Sequence, residues 1–396
     1  MGLATLPKAD WTQREDLAQL VDVLGRGNLR WVGGAVRDTL LGSAVKDIDA
    51  ATPLTPDEVI ARLDAGTIRN VPTGIDHGTV TAVLPAGTVE ITTLRKDVST
   101  DGRRATVAFS DDWRVDAARR DFTINALYAD PASLELFDYF DGLGDLADHR
   151  VRFIGDPRDR IREDRLRILR YYRFQARLGA TLDDDAERAC AELAPMLKGL
   201  SRERVGWELQ NLLSVADPTA TVTRMYQQGV LGVVLPEAGE REIVAFEQLV
   251  EAERAAGLPP APIRRLAALL PAQPRAAEQV AARLRLSTAQ RKRLASAANR
   301  ERPSAGDARA LAYRLGREEA IDQLLLTGEN IAPLRLWAVP ELPLKGGEIV
   351  SRGVAAGPDV ARILQAVERR WIAEGFPGRR RVEALLDQEL GSKPTG

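Results

Sequence analysis

Apolar and polar positions follow two different periods along the 396 residues. Up to about residue 150, segments with a period of two, as for strands with one buried face, alternate with segments near 3.6, as for helices with one buried stripe. Asn28–Val32 predicts a strand and Ala35–Leu41 a short helix, which Gly42 stops because glycine accepts the left-handed backbone that closes a helix. Thr55-Pro56-Asp57-Glu58 offers an N-cap, a proline at the first helical position and a reciprocal acid, just ahead of Val59-Ile60. Thr79–Leu84 and Thr88–Leu94 alternate on either side of Pro85-Ala86-Gly87 and predict a hairpin. After Asp156-Pro157, itself a helix start, the period of two nearly vanishes. Ala/Leu/Arg-rich segments of helical period then run to the end, interrupted at Pro236, Pro259-Pro260, Pro303 and Pro340. The fold class expected is α+β: a small mixed α/β head over 1–148, then all-helical stretches over 149–235 and 236–396. There is no internal repeat, and Gly391–Gly396 is expected to be disordered.

The densest chemistry lies in residues 31–49, where Trp31-Val32 leads into Gly33-Gly34, a helix carrying Arg37, and then Asp47-Ile48-Asp49. On a strand, a spacing of i, i+2 turns both carboxylates to one face and Ile48 to the other. Magnesium in phosphoryl transfer is held by one or two carboxylates plus substrate phosphates. Two glycines let the backbone approach a phosphate chain, and the following helix offers free N–H groups. Alone, either motif is usually a turn or a solvated strand edge. In this order within twenty residues they point to nucleotidyl transfer.

Two further clusters follow. Asp116-Ala-Ala-Arg119-Arg120-Asp121-Phe-Thr-Ile-Asn125-Ala-Leu opens an apolar run with charges, and a guanidinium there could clamp a triphosphate or ribose. By itself such a run is more often solvated. Asn125 among apolar neighbours must be hydrogen-bonded, whether to the protein or to a ligand. In Glu163-Asp164-Arg165-Leu166-Arg167-Ile168-Leu169-Arg170-Tyr171-Tyr172-Arg173, helical spacing gathers Arg167, Arg170, Arg173 and Arg177 on one arc, with Asp164 about one turn earlier. A helix laced with surface ion pairs is the plain alternative. Cytosine and adenine both present an amino donor beside a ring-nitrogen acceptor. An acid at Asp164 and a donor fork at Arg167 could accept those two bases and reject uracil and guanine.

Composition narrows the classes. Forty-four per cent apolar and 28% charged residues fit a globular enzyme of several domains. A single cysteine, Cys190, excludes a disulfide framework or thiolate zinc site and suits a reducing cytoplasm. Two histidines, His77 and His149, exclude a histidine-rich metal centre. No signal core or membrane-spanning stretch is visible. A net charge of −2 rules out a uniformly basic coat, so RNA contact falls to local clusters. Candidates are Arg264-Arg265, Arg291-Lys292-Arg293 and Arg379-Arg380-Arg381, each of which could equally be a solvated helix end.

With these blocks in order, the chain resembles the bacterial class II tRNA nucleotidyltransferase and poly(A) polymerase family, and among its members the CCA-adding enzymes most. The likeness runs from Trp31 to Glu208 and includes Glu203-Arg204-Val205-Gly206-Trp207-Glu208, similar to the neck helix that buttresses the base-reading residues. It implies a polymerase-beta-like nucleotidyltransferase head, a helical neck, and a tRNA-binding body and tail. It implies that Asp47 and Asp49 hold Mg²⁺ while a tRNA 3′-hydroxyl attacks the α-phosphate of CTP or ATP. Gly33, Gly34 and Arg37 would hold the triphosphate, and Arg119, Arg120 and Asn125 the nucleotide around its ribose. Asp164 and Arg167 would read the base, with Arg170 and Arg173 extending the basic wall; Glu90 is a candidate third carboxylate. Arg95–Ala108 matches the place of a flexible loop used in switching from C to A. Gly347 stands where a tail motif usually carries an acid. The expected partners are tRNA, CTP and ATP, with no membrane and no obligate protein partner. A poly(A) polymerase, a CC- or A-adding specialist, a small-molecule nucleotidyltransferase and a silent RNA-binding protein are the alternatives.

Overall fold

The computed structural model describes residues 4–100, 105–179, 181–300 and 308–391. The chain divides into two compact units, Met1–Pro236 and Glu237–Gly396.

The first unit opens with α1 (Glu15–Leu24), β1 (Arg30–Val32), α2 (Gly34–Leu40), β2 (Ile48–Thr52), α3 (Pro56–Ala65), β3 (Asn70–Gly74), β4 (Thr79–Leu84) and β5 (Gly87–Thr93). A hairpin of β6 (Arg95–Thr100) and β7 (Ala105–Phe109), α4 (Trp113–Ala118), β8 (Leu127–Ala129), β9 (Leu136–Asp138) and α5 (Gly142–Ala147) complete the head. One seven-stranded sheet runs β3-β4-β5-β2-β1-β8-β9. Within this sheet only β2 and β5 pair in parallel; the chain between them crosses over through α3 and the β3–β4 hairpin.

Local signals account for the elements. Thr55 caps α3 as a capping box, its Oγ1 accepting from the Glu58 amide and its own amide donating to Glu58 Oε2 at 2.8 Å. Gly42 takes φ +64° just after α2. Leu17, Leu20 and Leu24 of α1 and Val59 and Leu63 of α3 are buried together with Val80, Ala82, Val89 and Ile91 of the sheet. The opposite sheet face buries Val32, Ala51 and Tyr128 against Ala117 of α4 and Ile154. That second face is where Asp49 projects, because Val32 and Asp49 are direct partners across β1 and β2.

Two expectations change. Asp47 lies just before β2 rather than on it, so the two carboxylates are not held by a common pleat. The stretch Arg95–Ala108 is mostly strand rather than loop, in two antiparallel strands that reach residue 100 and begin again at 105; residues 101–104 lie outside the described residues. Residues 392–396, most of the expected disordered end, also lie outside them.

Helices α6 (Pro157–Glu163), α7 (Arg167–Leu178), α8 (Asp184–Leu193) and α9 (Arg202–Leu213) follow the head, with Thr219–Gln227 and Val230–Val234 closing the unit. Asp156 caps α6 through the amides of Arg158 and Asp159. No strand follows Leu136–Asp138 among the described residues.

The second unit is helical. Ile349, Ile363, Val367, Trp371, Val382 and Leu385 form one of its cores. In its earlier helices Glu253 accepts from Arg264 and Arg265 at 2.7 Å each, and Asp322 accepts from Arg264 and Arg293. Arg264 and Arg265 are 6% and 2% exposed, so the expectation that this pair meets RNA is overturned: it is an internal ionic cluster. A basic pair among small apolar residues looks the same in sequence whether it faces water or a buried acid. Arg293 is engaged likewise by Asp322 and Glu318, while Arg379, Arg380 and Arg381 are exposed.

Candidate active site

The sheet register builds the acidic part of the site. In the parallel β2–β5 pair, Asp49 stands beside Glu90, and neighbouring strands present directly paired residues to one face. Asp47 and Glu90 are exposed and Asp49 half-buried. Burial pushes the Asp49 carboxyl up to about 6, Glu90 and Asp47 push the same way, and Arg120 opposes them. Carboxylates gathered on one sheet face supply the oxygen donors that a hard divalent ion takes, with substrate phosphates completing the set. Among the described residues, no group of three or more His, Cys, Asp and Glu side chains is placed to hold a metal ion by itself. An open carboxylate set that substrate phosphates complete is not such a group.

Beside the acids lies the glycine turn. Gly33 adopts φ 68°, ψ −122°, a conformation open only to glycine, and its amide donates to the Leu127 carbonyl. A β-carbon there would lie 3.6 Å from Arg120 Nη1 and 3.7 Å from the Asn125 carbonyl, so a longer side chain would fill the space under that guanidinium. The helix that follows has seven residues, too short for its dipole to dominate; the nearby arginines carry the positive field. Arg37 is 5% exposed, donates from Nε to Asp38 and from Nη1 to Asn125 Oδ1 at 2.5 Å. Burial lowers its pKa and Asp38 opposes that shift.

The Arg119–Asn125 stretch is not a solvated charge run. Asp116, 1% exposed, accepts from Arg119, Arg120 and the Tyr128 hydroxyl, and the Arg120 guanidinium lies 5.2 Å from the Tyr128 ring. Burial would raise the Asp116 pKa, yet Arg120, Arg119 and the Tyr128 bond hold it below the usual range. Asn125 meets both demands of a buried amide: Oδ1 accepts from Arg37 and Nδ2 donates to Asp121 at 3.0 Å. Asp121 also accepts from its neighbour's amide, at Phe122, and from Arg170.

The arginine helix carries one correction. Asp164 is not on the helix of Arg167; it sits in the break between α6 and α7 with an extended backbone. There its Oδ1 accepts the Leu166 amide at 3.1 Å, a turn that starts the new helix and explains the break. Its Oδ2 accepts from Arg204 of α9 at 2.8 Å. Arg167 Nη1 donates to Glu163 and the Arg160 carbonyl, and Nη2 to the Arg119 carbonyl. Arg170 and Arg173 both face the buried Glu208 of α9, and Arg177 pairs with Asp38. One chain of contacts therefore runs Arg177–Asp38–Arg37–Asn125–Asp121–Arg170–Glu208–Arg173.

All the expected site residues thus lie in the first unit, and Gly33, Arg37, Arg119, Arg120, Asn125, Arg167, Arg170 and Arg173 are linked through it. Gly34 lies at the start of α2, with Arg37 Nη2 3.8 Å from where its β-carbon would be. Sequence reasoning gave no part to Asp38, Asp116 and Tyr128. The first two stand at helical or adjacent spacing to Arg37, Arg119 and Arg120, a signal that was legible; Tyr128 had none.

Residues 29–152 match the family model of the poly(A) polymerase head domain. Residues 179–240 match that of the probable RNA- and SrmB-binding site of polymerase A. The mitochondrial CCA tRNA nucleotidyltransferase 1 of Mus musculus is 34% identical over 391 residues, covering 91% of this chain and 87% of that protein. The CCA-adding enzyme of Lacticaseibacillus paracasei is 34% identical over 371 residues, covering 88% of each. The Bacillus stearothermophilus CCA-adding enzyme in complex with CTP superposes with a TM-score of 0.69 at 23% identity, covering 95% of this chain and 98% of that one. At that identity the superposition speaks for the fold.

Proposed function

The chain belongs to the CCA-adding tRNA nucleotidyltransferase family, and from that premise we propose how its own residues perform the reaction. The protein adds C, C and A to the 3′ end of tRNA from CTP and ATP, without a nucleic-acid template. In each step the RNA 3′-hydroxyl oxygen bonds to the α-phosphorus, and the α–β bridging oxygen leaves with pyrophosphate.

Asp47 and Asp49 would hold a divalent ion, which we take to be Mg²⁺, with Glu90 alongside. When bound, the ion reduces the negative charge that the phosphate oxygens and the attacking hydroxyl bring together. Gly33 and Gly34 keep the floor open for the triphosphate. Arg120, fixed by Asp116 and Tyr128, faces that floor and compensates phosphate charge as it moves to the leaving group. Arg37, Arg170 and Arg173, bonded as they are to Asp38, Asn125, Asp121 and Glu208, act mainly by fixing the cradle.

For the base, Asp164 and Arg167 retain capacity. Each carboxylate oxygen accepts more than one bond, and of Arg167's five N–H groups three are engaged by Glu163, Arg160 and Arg119. An acceptor and a donor fork held this way suit cytosine and adenine and leave unpaired groups against uracil and guanine.

The observation that carries this reading is the pair of bonds from the arginine helices to the head: Arg160 Nη2 to the Arg120 carbonyl at 2.7 Å and Arg167 Nη2 to the Arg119 carbonyl at 3.3 Å. They tie the base-reading residues to the loop that faces the carboxylates within one compact unit. No described helix is long and apolar enough to cross a membrane, and a cytoplasmic place of work suits these dissolved substrates.

The test is addition to a tRNA transcript lacking its 3′ end, resolved on a gel. Two additions with CTP alone and a third only with ATP present are expected. A long ladder with ATP alone would make it a poly(A) polymerase, and two additions with no third a CC-adding specialist.

A further inference from the structure

Helix α9 packs on α7 and buries Val205, Glu208, Leu209, Leu212 and Leu213, yet leaves Trp207 57% exposed. Isolated exposed apolar residues are ordinary on protein surfaces, so exposure alone says nothing. The setting does. Three residues earlier, Arg204 holds Asp164; the next residue, Glu208, holds Arg170 and Arg173. At the amino end of the helix, exposed Lys198 offers its carbonyl to Arg202 Nη2, and Arg165 Nη1 lies 3.0 Å from where a Gly199 β-carbon would sit. An exposed indole therefore lies on the same helix as Arg204, which holds the base-reading acid one turn away, with Lys198, Arg202 and Arg165 around the amino end of that helix and Glu203 exposed on it. An aromatic face interleaved with cations is how proteins hold single-stranded nucleic acid.

We propose that Trp207 stacks on the terminal base of the acceptor RNA, with Lys198, Arg202 and Arg165 toward its phosphates. This rests on the tRNA-extending function above. The chemistry favours the RNA end over the incoming nucleotide. The incoming base is selected, which needs edge contacts such as those of Asp164 and Arg167. The terminal base of the RNA changes with each addition, so a contact that read its edge would fail at some step. Stacking uses the π-face that every base has and tolerates the change.

The experiment uses the full chain with Trp207→Ala and Trp207→Phe, and tRNA transcripts lacking one, two or three 3′ nucleotides. Circular dichroism checks the fold. Trp207→Ala is expected to raise KM for all three RNAs about ten- to a hundredfold, with KM for CTP and ATP within about twofold. Trp207→Phe, which keeps a stacking ring, should recover most of that loss. Intrinsic fluorescence of the wild type should be quenched by RNA, and the quench should shrink in Trp207→Phe. An unchanged RNA KM in Trp207→Ala, with the wild type active, overturns the inference and leaves the function standing. A rise in KM for CTP alone overturns it in favour of contact with the incoming base. Loss of a dimer at unchanged RNA affinity overturns it in favour of a second copy of the chain. A wild type that extends no RNA overturns instead the function on which the inference rests.

Discussion

Arg170 of α7 lies against Asp121 of the head, its Nε 2.7 Å and its Nη2 2.6 Å from the same carboxylate oxygen. The other oxygen of Asp121 accepts from Asn125, which in turn accepts from Arg37 behind the glycine turn. This ion pair fastens α7, which we propose reads the base, to the loop we propose faces the phosphates, so a displacement of either is felt by the other.

Asp121→Asn is expected to destabilise the first unit, with a characteristic pH dependence. Burial works to raise this carboxyl's pKa, but Arg170 and the bonds from Asn125 and Phe122 outweigh it and hold it down to about 2. A depressed carboxyl stabilises the fold above its unfolded pKa, near 4. That contribution, about 2 kcal/mol, is lost as pH falls from 4 toward 2, about half of it by pH 3. Urea midpoints of wild type and variant should differ most at pH 6 and converge toward pH 3. A gap that is independent of pH would rule out the ionised pair as its source.

Asp49→Asn should abolish nucleotide addition, by about a thousandfold or more, while raising the melting temperature in metal-free buffer. The native carboxyl is held in a partly buried place beside Glu90 and Asp47 that disfavours its charge, and the amide relieves that by about 1–2 kcal/mol. Adding Mg²⁺ should stabilise the wild type and leave the variant unmoved. Equal Mg²⁺ shifts in both would place the ion elsewhere.

Arg204→Ala should relax base choice more than it weakens RNA binding. Asp164 would keep its bond from the Leu166 amide and lose the guanidinium that fixes its second oxygen. Misincorporation of UTP or GTP, scored in single-turnover assays, is expected to rise about tenfold or more. Unchanged discrimination would remove Asp164's anchoring from the account of specificity.

In the second unit, Arg265→Ala should cost about 3–5 kcal/mol, since it leaves Glu253 buried with only one of its two arginine partners. At temperatures where the variant is folded, the slope of log RNA affinity against log salt should match wild type, because a buried guanidinium releases no counterions from RNA. A shallower slope would return Arg265 to the RNA surface.

Much of this was legible in the sequence. Thr55 and Glu58, Asp156 and Pro157, and Gly42 mark helix ends through bonds to residues within four positions, and such local bonds are set by neighbours in the chain. The acid pair, the glycine turn and the arginine helix were visible for the same reason: each is a short pattern. Where a local rule failed, the cause was a competing local bond in one case and the register of the sheet in the other. Asp164 left the helix because its side chain takes the Leu166 amide, and Asp47 fell outside the strand because pairing of β2 with β1 and β5 starts at Ile48 and Asp49.

Partnership over long separations was not legible. Only the family resemblance brought Glu90 near Asp49, and nothing in the sequence joins Arg120 to Tyr128, or turns Arg264 and Arg265 inward to Glu253 and Asp322 while Arg379, Arg380 and Arg381 stay outside. An arginine carries the same charge in either place. Which acid it meets, or whether it meets one at all, depends on the register of strands and the packing of helices far apart in the chain. The sequence by itself determined the residue types at the site and their local elements; only the tertiary structure decided which charges are neutralised within the fold and which remain to meet a substrate, because desolvation and pairing belong to a position in space.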